Sequence, residues 1–549
     1  MAKSVIFDVQ VRKAIKDAVE KVAESVKVTY GPNAFNVLLD RSWGAPYSSN
    51  DGAQIVDDIE LINKQENSIA QILKDAASKT NDRAGDGTTG TIIIASHLIL
   101  ESLKAIASQH FPQEIVRSFE KLEKLSEQIL DSLKMEIKGD LNSSKEFFAI
   151  AKVAAGGDET IARNIVEALS KATIDGVVTL EEGKTTQTQI KWFAGMHFDR
   201  GFVSPYFINK PEENKCILED VYILIIEDKL TAIKDLVGLL EKLAERKAKL
   251  LVIAEDAEGE ALSTFVVNKL KGILDCCVVK APAYGDRRKA YLQDIAILTG
   301  GKAIFKDLGI KLNKIDISDL GRAKRVIVDA DNTIIEGGYG LPEAIEERKR
   351  QIKYEIETTD SSYDKEKLQE RLAKLTSGVA QINIGAPSET EIKELKKKYE
   401  DSLASAKAAL EEGFCLGGGK TFLQIAKKLQ EKHDREFQND ETSKVAFNIF
   451  IEALKAPFKQ IVINSGKDPA YFLRKLESEG NENIGYNAVK GDISNLLEDG
   501  ILDAVKVVRN ILQNAVSATN TIINTSAIVS EIEEEKEDMQ MPHHHAPYY

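Results

Sequence analysis

Apolar positions near the start of the chain recur with a helical step. Val11, Ile15, Val19, Val22 and Val26 stand three or four residues apart, which lays one apolar stripe along a helix. Residues 69–78 and 90–108 repeat the pattern, and the charged stretch 112–138 keeps an apolar helical face. The same step returns in the last third at Val505, Val508, Leu512, Ala515 and Ile522. The middle third changes period. Short β-rich runs stand at 221–226, 249–254 and 276–279 with helical segments between them, the pattern of α/β layers with parallel strands. The pattern predicts two helical ends that fold together as one discontinuous domain around an α/β insert.

Length, charge and cysteines narrow this picture. A chain of 549 residues is too long for a single hydrophobic core, so several domains are expected. A net charge of -14 argues against a nucleic-acid partner. Cys216, Cys276, Cys277 and Cys415 have no zinc-site spacing. They are read as buried reduced thiols of a reducing compartment. Residues 1–4 show no apolar signal core and no apolar run approaches 18 residues, so a soluble, cytoplasmic protein without a membrane partner is expected.

Candidate chemistry centres on Gly85-Asp86-Gly87-Thr88-Thr89, between a polar run and a long apolar segment. A glycine loop feeding a helix start offers unpaired N–H groups and a positive dipole end to a phosphate. Asp86 is suited to the magnesium that accompanies nucleotide phosphates. Taken alone, the stretch fits either this reading or an Asp-Gly turn capping a core helix.

Further runs extend the reading. Val28-Thr29-Tyr30-Gly31-Pro32 follows the first amphipathic segment, and Asn50-Asp51-Gly52 is a second Asp-Gly turn. Downstream come Glu411-Glu412-Gly413-Phe414-Cys415-Leu416-Gly417-Gly418-Gly419, then Tyr486-Asn487-Ala488 and Gly500-Ile501-Leu502-Asp503. The middle adds Phe198-Asp199-Arg200-Gly201-Phe202, Ala283-Tyr284-Gly285-Asp286-Arg287-Arg288 and Glu370-Arg371-Leu372-Ala373-Lys374-Leu375. In this order, over residues 2–528, they resemble the group I chaperonins, the GroEL-type family.

The resemblance implies a multidomain α and α/β chaperonin fold. A helical equatorial domain would use residues 1–132 and 412–526, a small intermediate hinge domain 133–193 and 380–411, and an α/β apical domain 194–379, with a flexible tail at 527–549. Gly156-Gly157 and Gly417-Gly418-Gly419 lie near the implied junctions and are read equally as hinges or as turn glycines. The implied activity is ATP hydrolysis with Mg2+ and K+. Asp401 would orient the attacking water with Asp51, and closure of the intermediate domain would bring Asp401 in. Thr29, Gly31, Pro32, Asp86, Gly87, Thr88, Thr89, Gly418, Asn487, Ala488 and Asp503 would contact the nucleotide or its ions. Phe202, Tyr206, Phe207, Val237, Leu240, Leu262, Val266 and Val267 would line an apical groove for unfolded client proteins and a small lid co-chaperonin. Leu262 and Val266, four apart, share a helix face, a stripe that by itself also fits a core. The implied assembly is a homo-oligomer of two seven-membered rings, with Lys459, Lys467 and Asp468 between rings.

Asn50 and Gly90 stand where the family usually has a lysine and a third threonine, and Lys467 replaces an acid. These departures support the alternative of a divergent paralogue with weak ATP cycling, a holdase or scaffold. The tail carries an acidic run at 531–538 and the cluster His543, His544 and His545, which suits metal or, more simply, a flexible segment.

Overall fold

The structure is a computed structural model that describes residues 3–40, 46–172, 177–183, 185–193, 195–306, 312–359, 361–376, 379–438 and 440–531. The tail residues 532–549, with the histidine cluster, lie outside the described residues. The chain divides into two compact units, one of Met1–Gly139, Ser143–Ala162 and Glu400–Tyr549, the other of Asp140–Asn142 and Arg163–Tyr399.

The first unit is helical. In the helix Val9–Lys27 the stripe Val11, Ile15, Val19, Val22 and Val26 is buried. It packs with Lys64–Ala84, Thr88–Ala107, Pro112–Leu133, Glu441–Asn464 and Val505–Ile523 around one core. Local chemistry sets the helix starts. Asn63 accepts from the N–H groups of Gln65 and Glu66, and Asp440 from that of Ser443, which satisfies donors that a helix start leaves open. Thr88–Ala107 is long and apolar enough to cross a membrane, against the expectation that no apolar run reaches that length. Ile92, Ile94, Ala95, Leu98 and Ile99 are 0–1 % exposed. A helix enclosed by other helices needs no polar face, and that accounts for its composition.

Two boundaries differ from expectation. The helix predicted over 112–138 stops at Leu133, because Met135 exchanges both backbone hydrogen bonds with Phe414 at 2.8 Å. The segment 527–549 is not all tail. Ala527–Glu531 is a strand paired antiparallel with Lys3–Phe7, in register from Lys3↔Glu531 to Phe7↔Ala527.

The second unit is built on a sheet in the order Gly195–Phe198, Thr333–Gly338, Gly321–Val328, Cys216–Ile226, Lys249–Ala254, Cys276–Lys280, with Ala303–Ile304 also on Cys216–Ile226. The three predicted strands are parallel neighbours. The sheet as a whole is mixed, because Gly321–Val328 and Thr333–Gly338 form a hairpin. Asp329 builds its turn, accepting from the N–H groups of Asp331 and Asn332. A separate sheet joins Val177–Glu182, Val379–Ile384 and Gln189–Phe193. All four cysteines are buried and free.

Three helices of this unit, Gly285–Thr299, Pro342–Thr358 and Ser362–Thr376, are tied by one carboxylate. Asp294 is fully buried. It accepts from Arg348 Nε at 2.7 Å and from Arg371 Nε and Nη2 at 2.9 and 3.1 Å. Arg371, part of a run that carried the family resemblance, is thus a structural clamp.

Candidate functional site

The glycine loop ends one helix and starts the next. Gly85 caps Lys64–Ala84 at φ +72°, and Gly87 precedes Thr88–Ala107 at φ +98° with no side chain on the helix start. Both angles are in the left-handed region that glycine enters without Cβ strain. Space imposes the same choice. A Cβ on Gly85 would lie 1.9 Å from Ala404 Cβ, and one on Gly87 2.8 Å from Ile511 Cγ1. The Asp86 carboxylate accepts from the Gly87 N–H. Behind the loop, Asn514 donates to the Thr80 hydroxyl, which is 2.9 Å from that of Thr91, and Thr91 donates to the Gly87 carbonyl. This buried chain fixes the loop between two helices.

Four other segments meet the loop within the same unit. Gly52 lies under Thr89, since a Cβ there would fall 2.0 Å from the Thr89 hydroxyl oxygen. That contact brings up Asp51, which caps Gly52–Asp58 by accepting from the Ala53 N–H. Ala404 sits on Gly85, and Asp401, three residues earlier on the helix Glu389–Glu412, shares its face. In this structure the helical turn that carries Asp401 already lies against the loop. Ser402 anchors it, donating to the Ala151 carbonyl at 2.9 Å.

The Thr29-Tyr30-Gly31-Pro32 turn is held by Asn464, whose amide donates to the carbonyls of Lys27 and Tyr30. Thr29 donates its hydroxyl to the Val26 carbonyl. Asn33 ties the turn to the Ala488 carbonyl at 2.8 Å. Asp503, on the strand Leu502–Ala504, pairs with Phe414–Leu416, and a Cβ on Gly417 would lie 3.0 Å from its Oδ1. Gly418 approaches the Tyr486 carbonyl. Every residue assigned to the nucleotide from the sequence falls in this unit.

Burial and neighbouring acids shift the titration of two groups here. Burial first, and then the charge of Asp86, push the Asp503 carboxyl up to about 7. The Tyr30 phenol is held far above its ordinary range by burial, then by Asp503 and Asp86, so it stays protonated. In the sequence Tyr30 is legible only as part of a turn. Its place beside two acids depends on contacts that no local pattern encodes. Among the described residues no three acidic, histidine or cysteine groups form a metal cage. The donor set fits a magnesium ion that takes one carboxylate, Asp86, and fills its shell with phosphate oxygens and water.

Asp503 makes stability depend on pH. Its folded pKa lies above the ordinary 3.8, so the folded state holds the proton longer than the unfolded chain. The favourable contribution is complete below about pH 4 and is lost as pH rises through about 7. Asp503→Asn is expected to match the parent near pH 4 and to be more stable by about 2–4 kcal/mol at pH 8 without ligand. Urea unfolding followed by circular dichroism at the two pH values checks this, and an equal difference at both would refute it.

Some assignments meet geometry of another kind. Asn487 is committed inside the chain, donating to Asp499 at 2.7 Å and accepting from the N–H groups of Val489 and Lys490. At Gly90 a Cβ would meet Ile511 Cδ1 at 3.0 Å, so Ile511 occupies the room a threonine would need. Lys459 donates to Glu452, and Asp468 caps Pro469–Glu477, so two of the three residues expected between rings have partners within the chain.

The apical residues divide by exposure. Tyr206, Val237 and Val267 are exposed, and Phe202, Leu262 and Val266 are partly buried. Phe207 and Leu240 are corrections to the predicted groove. At 0 % and 8 % exposure they belong to the core of this unit. An amphipathic stripe identifies a helix face, and packing decides how much of it remains outside.

The profile of the TCP-1/cpn60 chaperonin family matches residues 22–533. Among solved structures, the chaperonin gp146 from the bacteriophage EL 2 (Pseudomonas aeruginosa), crystallised in the presence of ATP-BeFx, superposes with a TM-score of 0.71. The match is 20 % identical and covers 96 % of this chain and 99 % of that one. Loops, helices and sheets in this order, with a family match over nearly the whole length, lead to one conclusion: the chain belongs to the TCP-1/cpn60 chaperonin family, with its fold and its chaperone role.

Proposed function

We propose that the protein is an ATP-driven chaperone that captures unfolded proteins and encloses them in a ring-shaped chamber under a small lid protein. The observation that carries this reading is the convergence of the Asp86 loop, the Asp51 turn and the Asp401 helix within one compact unit. Phosphoryl transfer to water needs a cradle for the phosphates, a cation and a positioned water. The N–H groups at the start of Thr88–Ala107 and the hydroxyls of Thr88 and Thr89 form the cradle. Asp86 would hold Mg2+, which supplies charge neutralisation of the phosphate oxygens when bound. Asp401 and Asp51 orient the water and accept its proton. Thr29 and Thr89 offer oxygens to K+. The crystallisation of gp146 with ATP-BeFx supports a nucleotide at this site.

The division into equatorial, intermediate and apical domains, the seven-membered double ring and a cytoplasmic setting belong to the same proposal. Four buried, free thiols suit a reducing compartment. The reading is tested by diluting a denatured enzyme into the protein. ATP and a lid protein should restore the enzyme's activity, and suppression of aggregation without nucleotide-dependent release would favour the holdase alternative raised by Asn50 and Gly90.

Client capture rests on the exposed apolar side chains. Burying one valine side chain contributes about 1.5–3 kcal/mol, so a few such contacts hold many unrelated chains weakly. Val237 and Val267 are 40 % and 45 % exposed. Val237→Glu with Val267→Glu is expected to reduce suppression of client aggregation by about tenfold with ATP turnover unchanged. Light scattering of a denatured client checks this, and parental capture would exclude this face.

A further inference from the structure

The Arg163–Tyr399 unit contains a cavity of about 810 Å³ that the chaperone reading does not use. Its walls are the Asp199-Arg200 turn, the start of the Gly285–Thr299 helix and one face of the Ser362–Thr376 helix. The volume falls in the range of roughly 300–1,000 Å³ common for small-molecule sites.

Charge and shape restrict what would fit. Five basic side chains line the cavity against three acidic ones. Two of the acids are engaged, Asp199 at 3.6 Å from Lys374 and Asp364 at 3.5 Å from Arg287. Arg371, 6 % exposed, is locked from behind by Asp294. Arg200 differs. Among the described residues no carboxylate lies in ion-pair reach of it. Its Nη2 donates to the Tyr284 hydroxyl at 2.8 Å, and its guanidinium carbon is 5.4 Å from the Tyr284 ring centroid. The Tyr284 ring is 72 % exposed. It sits where the backbone is held in an unusual form, after Ala283 at φ +59°, a conformation that costs energy in a residue with a Cβ. The following helix, whose first turn lines the cavity, starts with no side-chain cap on its first N–H groups.

An unmatched guanidinium fork beside a helix start suits a tetrahedral oxyanion. An exposed tyrosine beside that guanidinium suits a planar ring. Asp286, in the first turn of the same helix, disfavours a long polyanion. We propose that this cavity binds a planar aromatic ligand carrying a single phosphate monoester, with Arg200 on the phosphate and Tyr284 against the ring. The site is separate from the triphosphate loops and its existence does not depend on their function.

The test uses the full chain and flavin mononucleotide, whose fluorescence is quenched on stacking against tyrosine. Saturable quenching with a dissociation constant of about 10–100 µM is expected, and riboflavin, which lacks the phosphate, should bind about tenfold more weakly. Arg200→Gln should abolish the preference for the phosphate, whereas Tyr284→Leu should weaken both ligands equally. Tyr284 is exposed and Arg200 partly buried, and both variants should keep the parental melting temperature. Quenching should persist in Asp86→Ala, which separates the cavity from the nucleotide loops. Displacement of the flavin by AMP would extend the ring class to purines, and failure to displace it would restrict the class to flavin-like rings. No saturable quenching up to about 1 mM, or a phosphate preference untouched by Arg200→Gln, would overturn the proposal.

Discussion

Asp401→Ala is expected to lower ATP turnover by at least about a hundredfold while nucleotide binding stays within about threefold of the parent. A group that positions water or accepts its proton acts in the transition state, so its loss appears in kcat rather than in ground-state affinity. The geometry gives this carboxylate its place. Ala404 lies against Gly85, and Asp401 projects from the same face one turn earlier. Asp86→Ala should behave differently, weakening magnesium-dependent binding itself. Single-turnover hydrolysis and equilibrium binding of ADP, measured on both variants, separate the two roles. Equal turnover in the parent and Asp401→Ala would remove Asp401 from the mechanism.

Asp294→Ala is expected to cost the Arg163–Tyr399 unit about 3–5 kcal/mol. The acid is fully buried and holds two guanidinium groups, so its removal leaves two cations in a low-dielectric interior without their partner. The penalty should concentrate in Gly285–Thr299, Pro342–Thr358 and Ser362–Thr376. Hydrogen exchange of their amides should accelerate by about 10²–10³ where they open with the unit. A loss under about 1 kcal/mol would show that water reaches the cluster and screens it. Replacing all three charged groups by apolar ones of similar volume is the tolerated alternative.

The helices of the first unit were legible because a buried face repeats every three to four residues, as in Val11–Val26. The three parallel strands were legible because buried runs such as 249–254 are continuously apolar. The antiparallel half of that sheet was hidden, since it depends on one turn built by Asp329. The site was legible as motifs and order, and its internal geometry was not. Nothing near Asn487 in the chain shows that Asp499 claims its amide. Nothing in an apolar stripe shows that Phe207 and Leu240 turn inward while Tyr206 and Val237 stay outside. Partners far apart in the chain, such as Asn464 with Lys27 and Tyr30, are set only by the completed fold.

The pairing of Lys3–Phe7 with Ala527–Glu531 bears on biogenesis. During translation, the amino-terminal helices emerge hundreds of residues before the strand and helices that complete their core, whereas residues 163–399 form a nearly uninterrupted unit. Domains generally fold as they emerge, so the insert can be finished while the surrounding helices still lack partners. Entropy penalises the final closure only logarithmically in loop length. The delay lengthens the time for which the apolar faces of the early helices stand uncovered on the ribosome, and a folding machine of this topology is itself for that interval a client.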